Sequence, residues 1–235
     1  MDRETLNRRS PMRVFERSIH GGLGRGNIGV ILGRAGTGRT AFLIGMALDA
    51  LLRDRKVLHV STRASSDKVR EFYEEVFHEL AEATHLEDRL RIRLQIERNR
   101  MIHTFLGGGF SLERLAAAID YMTRHVHFEP SVVILQGSPD WEQATEAEIG
   151  ALADFAGRLQ CELWLEGQVH RDGEKLDQRG VPERIARFDS HLAVLLSLQQ
   201  NEDHVRLQLL KDHGSADLAA MHIELDPKTL LMVWR

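Results

Sequence analysis

Residues 33–40 form a glycine-rich segment whose residue types and spacing fit the chemistry of phosphate binding. The segment reads Gly-Arg-Ala-Gly-Thr-Gly-Arg-Thr and fits the pattern G-x-x-x-x-G-K-[ST] at every fixed position but one, since Arg39 replaces the lysine. The residues between Gly33 and Gly38 allow the backbone to wrap around a phosphate with successive N–H groups pointing inward. The Thr40 hydroxyl would bind the Mg²⁺ that accompanies the phosphate. The predicted nucleotide contacts are Gly33, Arg34, Ala35, Gly36, Thr37, Gly38, Arg39, Thr40 and Ala41.

The residues on either side of this loop support the interpretation. Residues 27–32 are a short β-rich run and residues 41–48 are nearly all apolar, which predicts a strand before the loop and a buried helix after it. The helix would add the positive end of its dipole to the phosphate site. The alternative interpretation is a glycine-rich turn between a strand and a helix that binds no ligand.

Length and composition indicate one globular α/β domain without a strong charge bias. The 235 residues are enough to bury a full core, and the net charge of −4 gives no basic field that would attract nucleic acid or a membrane. Cys161 is the only cysteine, which excludes internal disulfides and favours the cytoplasm. No apolar run reaches transmembrane length. We predict a flexible, basic arm over residues 1–12 and a single domain over residues 13–235.

Strand and helix patterns alternate along the chain and then give way to strands alone. Short apolar runs predict strands at 56–60, 101–105, 132–135 and 161–165. Apolar residues at helical spacing predict helices over about 66–84, 86–100 and 112–126, and a capping box at Thr145 and Glu148 predicts another. Further strands, with a first turn at 201–203, are predicted at 192–198, 205–210, 221–225 and 230–234. The pattern predicts an α/β fold with a mostly parallel twisted sheet, flanking helices and a C-terminal antiparallel β-hairpin extension.

The order and spacing of these segments resemble the RecA/KaiC superfamily of P-loop ATPases over residues 13–234. Residues 15–28 place a Gly-Gly-Leu and a further glycine before the strand and the loop, as that family does. Residues 132–137 are similar to its Walker B strand, and residues 165–170 to its next core strand, which ends in a glutamine that senses the γ-phosphate. Residues 206–214 resemble a late strand whose basic residue points at the neighbouring subunit's nucleotide.

The resemblance implies a RecA-like P-loop NTPase fold that binds ATP or ADP with Mg²⁺ and assembles into a homo-oligomer. It makes Gln168 the candidate phosphate sensor, with a plain strand-end amide as the alternative. It makes Lys211 the residue that reaches across a subunit interface, with a solvated strand lysine as the alternative.

The departures from that family concern catalysis more than binding. Gln136 replaces the Walker B aspartate, and a neutral amide brings no charge to the magnesium shell. Residues 61–65 contain no acid where the family has its general base, the carboxylate that orients and deprotonates the attacking water. Arg39 can still clamp phosphate oxygens through two donors, although it is not equivalent to lysine. Asp140 could reach the metal from four residues beyond Gln136, and Asp67 is expected in the first turn of a helix.

The other polar segments favour a protein partner over nucleic acid. Loop 169–181 occupies the region where RecA-like recombinases contact DNA, but its mixed charges favour a solvated loop or a partner contact. Loop 138–142 is acidic and would repel phosphate. The twelve histidines show no metal-ligand spacing.

Three hypotheses about function remain open at this point. The first is a regulatory module that binds ATP or ADP, hydrolyses it slowly or not at all, and changes its assembly or partner with nucleotide occupancy. The second is an active ATPase with rewired catalytic residues that acts in signalling or on DNA. The third is a pseudo-enzyme scaffold with an empty loop. The losses at Arg39, Gln136 and 61–65 favour the first, and the intact glycines and Thr40 oppose the third.

Overall fold

One mixed sheet forms the centre of the protein. The computed structural model describes residues 1–170, 174–201 and 204–234. The strands in these residues are β1 (Ile28–Gly33), β2 (Val57–Ser61), β3 (Arg100–Thr104), β4 (Val132–Gln136), β5 (Glu162–Gln168), β6 (Val194–Gln200), β7 (Val205–Asp212), β8 (Ile223–Leu225) and β9 (Met232–Trp234). They pair in the order β3-β2-β4-β5-β1-β6-β7-β8-β9.

The first six strands are parallel, which fixes where their carboxyl ends lie. β1 pairs with β5 on one side and with β6 on the other, while β4 lies between β2 and β5. Every residue of β1, β2 and β4 is buried, as expected for parallel strands that are covered on both faces. The carboxyl ends of β2, β4, β5 and β1 therefore meet at one edge of the sheet.

Helices cover both faces of this sheet. In the described residues they are α1 (Arg3–Arg9), α2 (Met12–Ser18), α3 (Arg39–Leu52), α4 (Ser66–Ala83), α5 (Arg89–Asn99), α6 (Leu112–Val126), α7 (Glu146–Leu159) and α8 (Glu183–Ala186). Helices α1 to α5 pack on one face and α6 to α8 on the other, and each set shares an apolar core with alternate residues of the strands. α3 is buried along nearly all of its length, which agrees with its almost entirely apolar sequence. None of the described helices has the length and hydropathy needed to cross a lipid bilayer.

The C-terminal strands extend the sheet in antiparallel fashion. β6, β7, β8 and β9 pair in sequence order, so the predicted change from parallel strands to hairpins is confirmed. The turn predicted at 201–203 falls between β6 and β7 in the sequence, and its residues Glu202 and Asp203 lie outside the described residues. The predicted fold class, an α/β protein with a mostly parallel sheet and a C-terminal antiparallel extension, is confirmed.

The N-terminal segment differs from the flexible arm that the sequence predicts for residues 1–12. It forms α1, whose N-cap Asp2 accepts a hydrogen bond from Thr5 N at 2.9 Å, and then begins α2. Leu6 is buried in the core shared with α3, and Ser10 Oγ donates to the buried Asp49 of α3 at 2.5 Å. The arginines of this segment suggest a solvated tail, but the apolar residues between them, Leu6 and Met12, are buried in the core.

Candidate functional site

The glycine-rich loop lies at the edge of the sheet where the parallel strands end. It connects Gly33, the last residue of β1, to Arg39, the first residue of α3. Thr37 closes the loop on itself, because its backbone N–H and its hydroxyl both donate to Arg34 O, at 3.3 and 2.9 Å. The N-cap position of α3 supplies no side-chain hydrogen bond, so the first N–H groups of the helix stay open to a ligand.

The glycine before the helix is required both by its backbone conformation and by a neighbour. Gly38 has φ +86°, in the left-handed region, and a Cβ at this position would overlap Leu225 Cδ2. Gly36 has a similar φ of +81°, but no atom lies within 4 Å of where its Cβ would be. Leu225 is buried on β8, so the C-terminal strands pack directly against the base of the loop.

Arg39 projects from the start of α3 into the space in front of the sheet. Its guanidinium makes no hydrogen bond or ion pair within the described residues, although it lines two adjoining cavities of about 510 and 220 Å³. Burial lowers the pKa of Arg39, nearby Glu166 opposes this, and Arg63 adds to it. An arginine keeps its charge despite such a shift. Arg39 therefore offers a cation with unused donors beside the open end of the helix.

Strand alternation brings three polar side chains to the larger cavity. Ser61, Gln136 and Glu166 stand near the carboxyl ends of β2, β4 and β5 and all line the 510 Å³ cavity with Thr40. Ser61 pairs directly with Gln136 in the parallel register. Leu135 pairs with Leu165, so the next residues along the two strands, Gln136 and Glu166, lie side by side.

A chain of hydrogen bonds links Thr40 to the interior through neutral groups. Gln136 Nε2 donates to Thr40 Oγ1 at 3.1 Å, and Gln136 Oε1 is 2.7 Å from His59 Nε2. With the amide in this orientation His59 Nε2–H is the donor, so His59 Nδ1 accepts from the Tyr73 hydroxyl, 3.1 Å away. Burial lowers the pKa of His59 to about 4 and raises the pKa of Tyr73. The Arg100 guanidinium lies over the Tyr73 ring, 4.5 Å from its centroid.

No acidic side chain stands at the position predicted for the magnesium ligand, residue 136, or in the segment 61–65 predicted for the general base. Gln136 is buried and holds the Thr40 hydroxyl through its amide. In the segment 61–65, Ser61 Oγ accepts from Ala64 N at 2.9 Å, and Arg63 is the charged residue that reaches the cavity. Asp67 lies in the first turn of α4, as predicted, and pairs with Arg70 at 3.2 Å.

The remaining predicted residues lie at different distances from the loop. Gln168 and the exposed Asp140 line the smaller cavity with Arg39, and the Gln168 carbonyl accepts from Arg184. Lys211 does not point into either cavity, since its Nζ donates to Asp189 O and Oδ2, at 2.6 and 2.8 Å. Of the loop 169–181, residues 169–170 and 174–181 are described, and residues 171–173, which include Arg171 and Asp172, lie outside the described residues.

Glu166, His59 and Tyr73 belong to the site although the sequence interpretation does not include them. One signal in the sequence points to Glu166: it lies two residues before Gln168, hence on the same face of β5. His59 lies two residues before Ser61, hence on the same face of β2. Tyr73 offers no such signal, because its position depends on how α4 packs on the sheet.

The groups around the loop fit a bound phosphate, whereas a metal ion would need oxygen ligands from that phosphate as well. Open helix N–H groups, the Arg39 guanidinium and the Thr40 hydroxyl converge on one place, as a di- or triphosphate requires. Within the described residues there is no group of three or more histidine, cysteine, aspartate or glutamate side chains that could hold a metal alone. Mg²⁺ would supply charge neutralisation of the phosphates here, with Thr40 as its oxygen ligand from the loop.

Comparison with known proteins agrees with this geometry. Residues 16–105 match the family model described as GvpD gas vesicle protein, P-loop domain. The match runs from α2 through the loop and α3 to β3, so the chain carries a P-loop domain. Gln136, Glu166, Gln168 and Lys211 lie beyond the matched residues. No curated protein matches the chain.

We predict that Gly38→Ala destabilises the protein more than Gly36→Ala does. Both substitutions force a left-handed conformation on a residue with a Cβ, which costs about 1–2 kcal/mol. Only Gly38→Ala adds overlap with Leu225, worth about 1–3 kcal/mol more. Urea unfolding of both variants measures the difference in the free energy of unfolding. The cost of Gly38→Ala should also be smaller when it is measured in a Leu225→Ala background than in the wild type, because the overlapping side chain is gone. Equal losses in the two glycine variants would contradict the packing of β8 on the loop.

We also predict that the neutral state of His59 makes stability dependent on pH. Its pKa is about 4 in the folded protein against an ordinary 6.5, so the unfolded chain binds a proton that the folded one does not. The stability from neutral His59 is fully present above pH 6.5 and is lost as the pH falls towards 4, by roughly 3 kcal/mol. Comparing the free energy of unfolding of the wild type and His59→Gln between pH 7 and 4 isolates this effect. Parallel pH profiles would show that His59 is not held neutral.

Proposed function

We propose that this protein is a cytoplasmic regulatory module of RecA/KaiC-like type that binds ATP or ADP with Mg²⁺ and hydrolyses it slowly or not at all. Nucleotide occupancy would alter its assembly or its choice of protein partner, because a ligand that binds one state better shifts the population towards it. The observation that carries the proposal is Arg39, a cation with unused donors beside the uncapped start of α3.

The contacts around the loop support binding. A phosphate at the start of α3 would gain the open N–H groups and the positive end of the helix dipole. Arg39 adds two-pronged donation, and no described residue competes for its guanidinium through a hydrogen bond or close ion pair. The similarity of residues 16–105 to a P-loop domain supports the same assignment.

The arrangement behind the loop supports slow turnover. Hydrolysis needs a carboxylate to orient and deprotonate the attacking water, and Arg63 stands near the position where that acid is expected. Gln136, at the Walker B position, contributes hydrogen bonds to Thr40 and His59 but no charge. The site therefore keeps the groups that hold phosphate and lacks those that drive rapid attack by water.

One observation favours an active ATPase as the second candidate. Glu166 places a carboxylate in the cavity, beside Gln136, where it could take over part of the missing acid's role. Action on DNA has less support, because charges near the predicted contact loops pair within the chain. Arg179 binds Asp177 and Asp189, and Arg184 binds Glu142 at 3.1 Å.

Self-association follows from the resemblance and remains part of the proposal. Lys211 would reach a neighbouring subunit's nucleotide only after leaving Asp189, which holds it at 2.8 Å. A nucleotide-promoted oligomer would be seen by sedimentation velocity with and without ADP. A strict monomer under both conditions would restrict regulation to partner binding.

We predict that saturating nucleotide raises the melting temperature and that Arg39 is central to the rise. Ligand at about 100 times its Kd adds roughly 2.7 kcal/mol of stability, which is about 5–10 °C for a domain of this size. Arg39→Ala should remove most of the rise, because the guanidinium is lost, while Arg39→Lys should keep it. Thermal unfolding with ATP, ADP or GTP and Mg²⁺ measures these shifts.

Arg91→Ala is the matched control, since Arg91 is an exposed arginine on α5, and it should keep the full rise. If all three nucleotides leave the wild-type melting temperature unchanged, the loop is vestigial and the scaffold hypothesis holds.

We further predict turnover well below 1 s⁻¹, about the lower end for typical enzymes. The reason is the missing general base, which alone contributes about 10²–10⁴-fold. Release of phosphate from ATP, measured with Thr40→Ala as the control, tests this. Faster sustained release that Thr40→Ala abolishes would favour the active ATPase.

A further inference from the structure

Glu166 is a carboxylate that faces the site from the interior of the sheet. Its side chain is only 11% exposed, and it lines both cavities in front of the loop. Trp164, two residues earlier on the same face of β5, packs in the apolar core with α2 and α3, so Glu166 stands at the border of that core. A carboxylate so placed needs a compensating positive charge, because removing it from water is expensive.

The charge of Glu166 is compensated only loosely within the described residues. Its ion pair is with Arg63 Nη1, at 4.0 Å, and the Arg63 side chain is 66% exposed. Arg39 attracts it across the cavity but forms no hydrogen bond with it. The other acids that line the two cavities are in contact with water: Glu142 is 62% exposed and binds Arg184 at 3.1 Å, and Asp140, Glu71 and Glu75 are exposed. Glu166 is thus the least exposed acid of these cavities, and its partner cation is distant and exposed.

The position of Glu166 relates it to the Walker B position. It lies beside Gln136 on the next parallel strand and on the same face of the sheet, so both side chains meet the cavity lined by Thr40. Gln136 donates to Thr40 Oγ1 and so fixes the hydroxyl that the loop offers to Mg²⁺. Gln136 thus orients the Thr40 hydroxyl, and Glu166 on the next strand provides the negative charge; a single aspartate could do both.

We propose that Glu166 supplies the carboxylate of the Mg²⁺ shell that forms when nucleotide binds, through a metal-bound water or directly. The inference rests on the proposed nucleotide binding. Mg²⁺ is bound in such sites by one or two carboxylates together with phosphate oxygens and waters. Of the three carboxylates that line the larger cavity, Glu166 is the one on the sheet beside Gln136, whereas Glu71 and Glu75 are exposed on α4. Arg39 then serves the phosphate, and Glu166 serves the metal.

The experiment compares Glu166→Gln with Glu142→Gln, an exposed acid of the same surroundings. Binding of ADP is measured by calorimetry in Mg²⁺ and in EDTA, and binding of Mn²⁺ to the ADP complex by electron paramagnetic resonance. In the wild type and Glu142→Gln, Mg²⁺ should strengthen ADP binding. In Glu166→Gln that strengthening should fall by about 10–100-fold, Mn²⁺ should be held more weakly, and affinity in EDTA should be retained. The ligand-free melting temperature of Glu166→Gln should not fall, because the charge that is removed is nearly buried and only loosely compensated.

The outcomes separate the two proposals. If Glu166→Gln keeps the full effect of Mg²⁺, or loses affinity equally in Mg²⁺ and EDTA, Glu166 is not a magnesium group and the inference is wrong. A wild type that binds ADP equally with and without Mg²⁺ also overturns the inference and leaves nucleotide binding intact. A wild type that binds no ADP in either buffer overturns both.

Discussion

The parallel register of β2, β4, β5 and β1 is the constraint on which the rest of the site depends. It brings the carboxyl ends of these strands to one edge, and alternation along each strand turns Ser61, Gln136 and Glu166 towards the same side as α3. The glycine-rich loop follows β1 at this edge, so the start of α3 lies beside these three side chains. Shifting one strand by a single residue would turn its side chain to the opposite face and dismantle the cavity.

Neutrality distinguishes the groups behind the loop. An aspartate in place of Gln136 would bring a negative charge against the Thr40 hydroxyl. Gln136, His59 and Tyr73 instead form a buried chain whose hydrogen bonds join uncharged groups. Such a chain is compatible with burial because each polar group finds a partner. Charged side chains line the cavity in front of this chain, among them Arg39, Arg63 and Glu166. The site thus combines a rigid neutral base with a charged front, an arrangement suited to holding phosphate.

The two ends of the described chain both pack against the element that carries the loop. α1 and α2 bind the outer side of α3 through Leu6 and through Ser10 and Arg13 on Asp49. β8 presses Leu225 against Gly38 at the start of the same helix. The start of α3 and the C-terminal strands are therefore in direct contact at Gly38 and Leu225.

The sequence by itself determined the loop, the strand and helix that flank it, the order of elements and the change to hairpins after β6, because periodicity and glycine spacing are local properties. It also predicted the absence of acids at Gln136 and 61–65, which is a matter of residue identity. Only the tertiary structure decided that α1 is folded, that Lys211 binds Asp189, and that Glu166 stands beside Gln136 with Tyr73 behind His59. These facts depend on strand register and on helix packing between segments tens of residues apart. The free energy that selects them comes from burial and pairing over the whole core, and a local pattern carries no record of it.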